Sequence, residues 1–152
     1  MANSLRGGST GGAPAYALRI LALMLGTFFV FNGIGKLSWL LDSGILAERL
    51  DGWLASAVPA SRWYIETVAR PGVPLFARVV PIAELAAGAA LIVGFWPRLA
   101  AFMALAMVAN FHVARGLFFS ADFLTDGLGF PVLGALLALT IAGARLPFSV
   151  SK

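Results

Sequence analysis

The sequence predicts an all-α protein: an integral membrane four-helix bundle with an amphipathic interfacial helix in the long loop between spans 1 and 2. Three observations carry that reading. Of 152 residues, 60% are hydrophobic and only 12% are charged, and the mean hydropathy is +0.89. A water-soluble domain carries about 25% charged residues, so lipid must replace water around much of this chain. The apolar residues gather into four runs of roughly 20 residues, the length that crosses a hydrocarbon layer of about 30 Å. The 11 Lys and Arg residues stand singly, mostly near the ends of those runs, as membrane-flanking charges do. A net charge of +4 would suit nucleic acid only if the basic residues formed one polar face. Their scatter excludes that partner.

Residues 1–14, rich in Gly and Ser and without periodicity, read as a flexible tail. A four-span domain follows over residues 15–146, and residues 147–152 form a C-terminal tail. The first span covers about 16–35. It is too long for a signal-peptide core and no small-residue cleavage site follows it, so it is expected to stay as an anchor. Arg19 near its start is expected to snorkel to the headgroups, and Gly33, Gly35 and Lys36 end it. Residues 38–74 form the longest connection and carry most of the acids. Within it Ile45, Leu46, Leu50, Trp53, Leu54 and Ala57 recur at helical spacing. This predicts an amphipathic helix over 43–57, lying on the membrane surface or capping the bundle. Pro59 should end it, with a second short helical piece around 61–70.

The second span, about 75–95, contains Arg78, Pro81 and Glu84. Trp96-Pro97-Arg98 makes a tight turn into the third, about 99–119, so the two should be antiparallel neighbours. A polar break at 120–127 holds Asp122 and Asp126, the latter placed to cap the fourth span, about 128–144. Small residues from Ala83 to Ala90 suit close helix contact in lipid. Trp39, Trp53, Trp63, Tyr64 and Trp96 fall at expected interfaces, as an aromatic belt. Four spans put both termini on the side of the 96–98 turn. That side carries Arg6, Arg19, Arg98, Arg145 and Lys152 and no acid, so cytoplasmic termini in the cell's inner (plasma) membrane are expected.

With no cysteine, structural disulfides, iron–sulfur clusters and thiolate-bound metals are excluded. His112 is the one histidine, and alone it builds neither a bis-histidine haem site nor a metal cage. With Asn110 and Arg115 it forms a polar patch on the third span, read either as a relay or quinone contact or as a satisfied packing histidine. Glu84 lies midway along its span, where an ionised carboxylate is costly. It reads either as a proton acceptor or partner for a quinone-type head group, or as half of a buried pair with Lys36 or a group from another span. Arg78 is about 9 Å away along the helix and on another face. Topology places Lys36, Arg78 and Glu84 at the long-loop end, lining one polar pocket. Phe118, Phe119, Phe123 and Phe130 suit an apolar slot.

Two runs and a third polar stretch carry a wider likeness. The first is Arg19 followed by Phe28-Phe29-Val30-Phe31-Asn32-Gly33-Ile34-Gly35-Lys36-Leu37. The second is Ala77-Arg78-Val79-Val80-Pro81-Ile82-Ala83-Glu84-Leu85-Ala86-Ala87-Gly88, continuing to Gly94 and Pro97-Arg98. The third ends in Asp126-Gly127. Over roughly residues 16–145 the chain resembles the DoxX-like family of small four-span membrane proteins. That resemblance implies a four-helix membrane bundle. Members include a subunit of a thiosulfate:quinone oxidoreductase, and others are linked to membrane oxidoreductase assemblies. Lys36 and Glu84 match the family's polar positions, which implies a place for them in quinone contact.

The leading functional expectation is a quinone-associated small subunit of a membrane oxidoreductase complex, without a redox centre of its own. No catalytic residue is assigned. The candidate quinone- or proton-binding residues are Glu84, Lys36, Arg78, His112 and Asn110. Quinone is the one expected cofactor, and no metal, haem or disulfide is expected. The lipid bilayer and another membrane or membrane-associated complex are the expected partners. A non-catalytic accessory subunit packing against a larger complex is the alternative, and a small transporter or channel a third reading.

Overall fold

The structure is a computed structural model and describes residues 12–143 and 146–150. The expected N-terminal tail lies mostly outside the described residues, as do Arg6, Arg145 and Lys152 of the charge argument. All regular elements among the described residues are helical. They are α1 (Ala13–Ile34), α2 (Gly44–Leu54), α3 (Pro59–Tyr64, continued by a wide turn over Ile65–Ala69), α4 (Val73–Val93), α5 (Pro97–Arg115) and α6 (Phe130–Ala142). Short 3₁₀ turns at Leu37–Leu40, Leu117–Phe119 and Ala121–Leu124 connect them.

Proline sets most of the helix starts. Pro14, Pro59, Pro74, Pro97 and Pro131 all sit in the first two positions of their helices, where a missing N–H costs nothing and φ is already helical. Pro59 therefore begins α3 rather than ending α2, which stops at Leu54. α1, α4 and α5 have 22, 21 and 19 residues and are long and apolar enough to cross a membrane. α6 has 13 residues and reaches about 20 Å. The expected start of that span at 128 falls in the loop instead. Asp126 Oδ1 accepts from the Leu128 N–H at 2.8 Å, closing a turn, and does not cap α6, whose preceding residue is Gly129. A Cβ at Gly129 would lie 2.4 Å from the Phe123 carbonyl oxygen, so only glycine fits this entry.

The bundle holds together through two cores. The first joins α1, α4, α5 and α6 around Ala22, Phe29, Leu91, Ala101, Ala104, Leu136 and Leu139. Its tightest contact is α1 on α4. A Cβ on Gly88 would be 2.7 Å from the Gly26 carbonyl oxygen, and one on Gly26 would be 2.8 Å from that of Gly88. Glycine lets the two backbones touch where hydrocarbon gives no hydrophobic drive for association. Of the small-residue run, Ala87 and Gly88 are buried, while Ala86 and Ala89 face outward. α4 and α5 are joined by residues 94–96, with Gly94 at φ 71°, yet they splay and leave an apolar groove of about 590 Å³ between them.

The second core caps one end: Trp39, Leu46, Leu50, Ile65, Ala69, Val73 and Ala77 pack together. The apolar face of α2 is thus turned into the bundle. Trp39, expected in an aromatic belt, is buried here, whereas Trp63 and Trp96 are exposed. Ser61 Oγ donates to the Val113 carbonyl at 2.7 Å and fastens α3 to α5. At the other end the described C-terminal residues do not hang free: Leu146 is buried and the Val150 N–H donates to the Val93 carbonyl at 3.2 Å. Arg19 does not snorkel. It is 8% exposed, and its guanidinium donates to the carbonyls of Leu91 at 3.0 Å and Ile92 at 2.6 Å. Those are orphan acceptors of the last turn of α4, and a cation there also answers the helix dipole.

Candidate functional site

α1 ends at Ile34 with Gly35 as its cap, and the chain turns so that the Lys36 ammonium reaches back to α4. Its ammonium lies 2.8 Å and 2.7 Å from the two carboxylate oxygens of Glu84, and 3.4 Å from the Asn32 carbonyl. Glu84 is 4% exposed at mid-α4, so this pair is withdrawn from water and ties α1 to α4. The ammonium also sits 5.9 Å from the Trp39 ring centroid and 5.7 Å from that of Phe111. Ring faces of this kind stabilise a desolvated cation.

The pair forms one wall of a cavity of about 320 Å³ between α1, α2, α4 and α5. Phe28, Phe29 and Asn32 line it from α1, and Val108, Phe111, His112 and Arg115 from α5. Arg49 and Trp53 of α2 and Leu128 complete it. The volume falls in the range of small-molecule sites, with apolar walls and a few convergent polar groups. His112 is 1% exposed. Its Nδ1 is 2.7 Å from the Val108 carbonyl oxygen, and its Nε2 is buried without a hydrogen-bond partner. The Arg49 guanidinium lies 5.4 Å from the Trp39 ring, and Arg115 pairs with Asp126 at 3.5 Å.

The five candidate residues divide. Lys36, Glu84 and His112 meet at the cavity. Arg78 does not join them: it is exposed, and its guanidinium donates to its own helix at the Pro74 carbonyl, 2.6 Å away. Six residues from Glu84 is about 240° around the helix, which turns it outward. Asn110 is likewise separated from His112, because a two-residue step is about 200°. It accepts a hydrogen bond from the Tyr64 hydroxyl and borders the outer groove. Burial pushes the Tyr64 phenol above its ordinary range, with the Asn110 bond opposing this. Phe118, Phe123 and Phe130 form a cluster of mutually tilted rings, with successive centroids 4.9 and 4.8 Å apart, and the first two lie against His112. They back the imidazole and do not form the expected slot; the Phe119 side chain lies outside the described residues.

Sequence reasoning passed over Asn32, Arg49, Trp53 and Phe111. A signal for Asn32 was present: Phe28, Asn32 and Lys36 recur at four-residue steps and so share a face. Arg49 and Trp53 reach the cavity only because α2 folds over the bundle end, which no local pattern dictates.

Neither the curated proteins nor the solved structures give a match to this chain. The family model for DoxX matches residues 17–115, from near the start of α1 through the end of α5 and across every wall of the cavity but Leu128, and the chain belongs to the DoxX family.

Proposed function

We propose that this membrane protein is a quinone-associated subunit of a membrane oxidoreductase and holds the head group in the cavity beside Lys36, Glu84 and His112. The observation that carries this reading is the cavity itself. It has aromatic and aliphatic walls, and its lining includes an ammonium, a carboxylate and a histidine whose buried Nε2 has no partner. These groups fit a flat, lipophilic ring with oxygen substituents: Lys36 donates, His112 accepts, and Phe28, Phe29 and Phe111 cover the ring. When bound, a quinone supplies lipid-soluble two-electron redox chemistry. A chain with no cysteine and one histidine lacks the ligands for a resident iron–sulfur cluster or bis-histidine haem. Electrons would therefore come from a partner protein. Lys36 binds and orients, Glu84 holds Lys36 in place, and α2 covers one side of the cavity through Arg49 and Trp53.

The test is gentle extraction of the full-length protein from its native membrane, followed by mass spectrometry of co-purifying proteins and lipophilic molecules. Wild type is expected to retain a quinone, and Glu84→Gln to lose it. A second reading draws on the splayed groove between α4 and α5, lined by Ala83, Ala86, Ala90 and Met103. Small residues there would admit a partner's helix, making the chain a non-catalytic accessory subunit. A stoichiometric large partner with no quinone in the extract would favour it, and Glu84→Gln would then lower stability alone.

A further inference from the structure

One wall of the cavity carries an unspent acceptor. His112 Nδ1 faces the Val108 carbonyl oxygen at 2.7 Å. A carbonyl oxygen only accepts, so Nδ1 carries the proton and donates. In the neutral ring Nε2 then presents its lone pair. Phe118 and Phe123 flank the ring at 5.4 and 5.7 Å, and Nε2 is buried without a hydrogen-bond partner. With Nδ1 committed to its own helix, the distal nitrogen is the one left for whatever enters the cavity.

We propose that His112 Nε2 accepts a hydrogen bond from a hydroxyl of the bound molecule, so that the site prefers a ring bearing a phenolic hydroxyl to the same ring bearing only carbonyl or ether oxygens. The proposal rests on the reading of the cavity as a site for a quinone-type ring and assigns the choice between its reduced and oxidised forms to one residue. Lys36 cannot make that choice. Its ammonium donates equally well to hydroxyl, carbonyl or ether oxygen, whereas a lone pair at Nε2 meets a donor or goes unsatisfied.

Because the chain has a single histidine, the test can read that ring directly. Full-length protein is labelled with ¹⁵N-histidine, carries a tag without histidine, and is placed in lipid nanodiscs under argon. The probes are tert-butylhydroquinone and its dimethyl ether, with affinities corrected for partitioning into protein-free nanodiscs. Ligand-free protein is expected to show one protonated and one unprotonated ring nitrogen. The hydroquinone should shift the unprotonated one, while the ether leaves it unmoved. The hydroquinone should also bind three- to tenfold more tightly, about one hydrogen bond's worth. His112→Phe should bring that ratio near one, and His112→Gln, which keeps an acceptor oxygen, should restore part of it. Equal binding of both probes, a protonated Nε2 in the free protein, or a bound hydroquinone with Nε2 unmoved overturns the role of His112 while leaving the cavity reading intact. Binding of neither probe overturns the cavity reading and this proposal with it.

Discussion

Two cations, the buried Arg19 on α1 and the half-buried Lys36 just past its end, face α4 at opposite ends of the bundle and meet different chemistry. Arg19 donates to the carbonyls of Leu91 and Ile92, in the last turn of α4. Lys36 meets the Glu84 carboxylate and borders a cavity of about 320 Å³. Both charges satisfy the rule that a buried ion is paired. At Arg19 the partners are backbone groups that every helix end exposes, and a fork of donors answers them. At Lys36 the partner is an acid at mid-helix, where helix geometry asks for none. The first arrangement answers groups that any helix end exposes, while the second ties the end of α1 to mid-α4 and borders a cavity.

The comparison can be tested by breaking each end in turn. Lys36→Met strands the Glu84 carboxylate and should cost about 3–5 kcal/mol of stability, read by steric-trap unfolding in bicelles. Adding Glu84→Leu should recover most of that loss, because a well-packed apolar pair replaces a desolvated ionic one at little net cost. Quinone retention should stay lost in the double variant. Recovery of retention there would show that the pair only props the helices apart.

Arg19→Met removes two charge-assisted hydrogen bonds and should cost about 2–3 kcal/mol, with ligand retention unchanged. An equal loss of retention at this distant end would collapse the contrast between the two cations. Gly88→Ala drives a methyl into the Gly26 carbonyl oxygen and should cost about 1–3 kcal/mol between the two ends. Gly134 in α6 is the control. A Cβ there meets nothing within 4 Å, so Gly134→Ala should be neutral or stabilise by up to about 1 kcal/mol in the same assay. The smallest effect is expected from Asp126→Asn. Its pair with Arg115 is long and partly exposed, and the amide can still accept from Leu128, so thermal unfolding should move by less than about 1 kcal/mol.

Much of this was legible in the residues. Their apolar runs and sparse charge decide for a helical membrane bundle, because hydrocarbon admits little else. The depth of Glu84 marks it as in need of a partner, and Lys36 stands at the matching end. Spacing also placed α2 by its apolar face, since helical periodicity is local. The limits of that reading are visible at Arg19, Arg78 and Asn110. A residue's depth along a span follows from counting, but which side of the helix meets a neighbour depends on packing. The long stem of Arg19 allows it to reach headgroups or a neighbouring helix, and only the end of α4 beside it settles the matter.

The sequence by itself determined the helices, their approximate ends and the residues too polar to lie in lipid unpaired, since each follows from local composition and the cost of desolvation. The tertiary structure alone decided that α1 lies on α4 through Gly26 and Gly88, that α2 folds over to bring Arg49 and Trp53 to the cavity, and that His112 turns Nδ1 to Val108 and keeps Nε2 for the interior. Those outcomes depend on which helix faces meet across long stretches of chain, and no window of sequence contains both partners of such a contact.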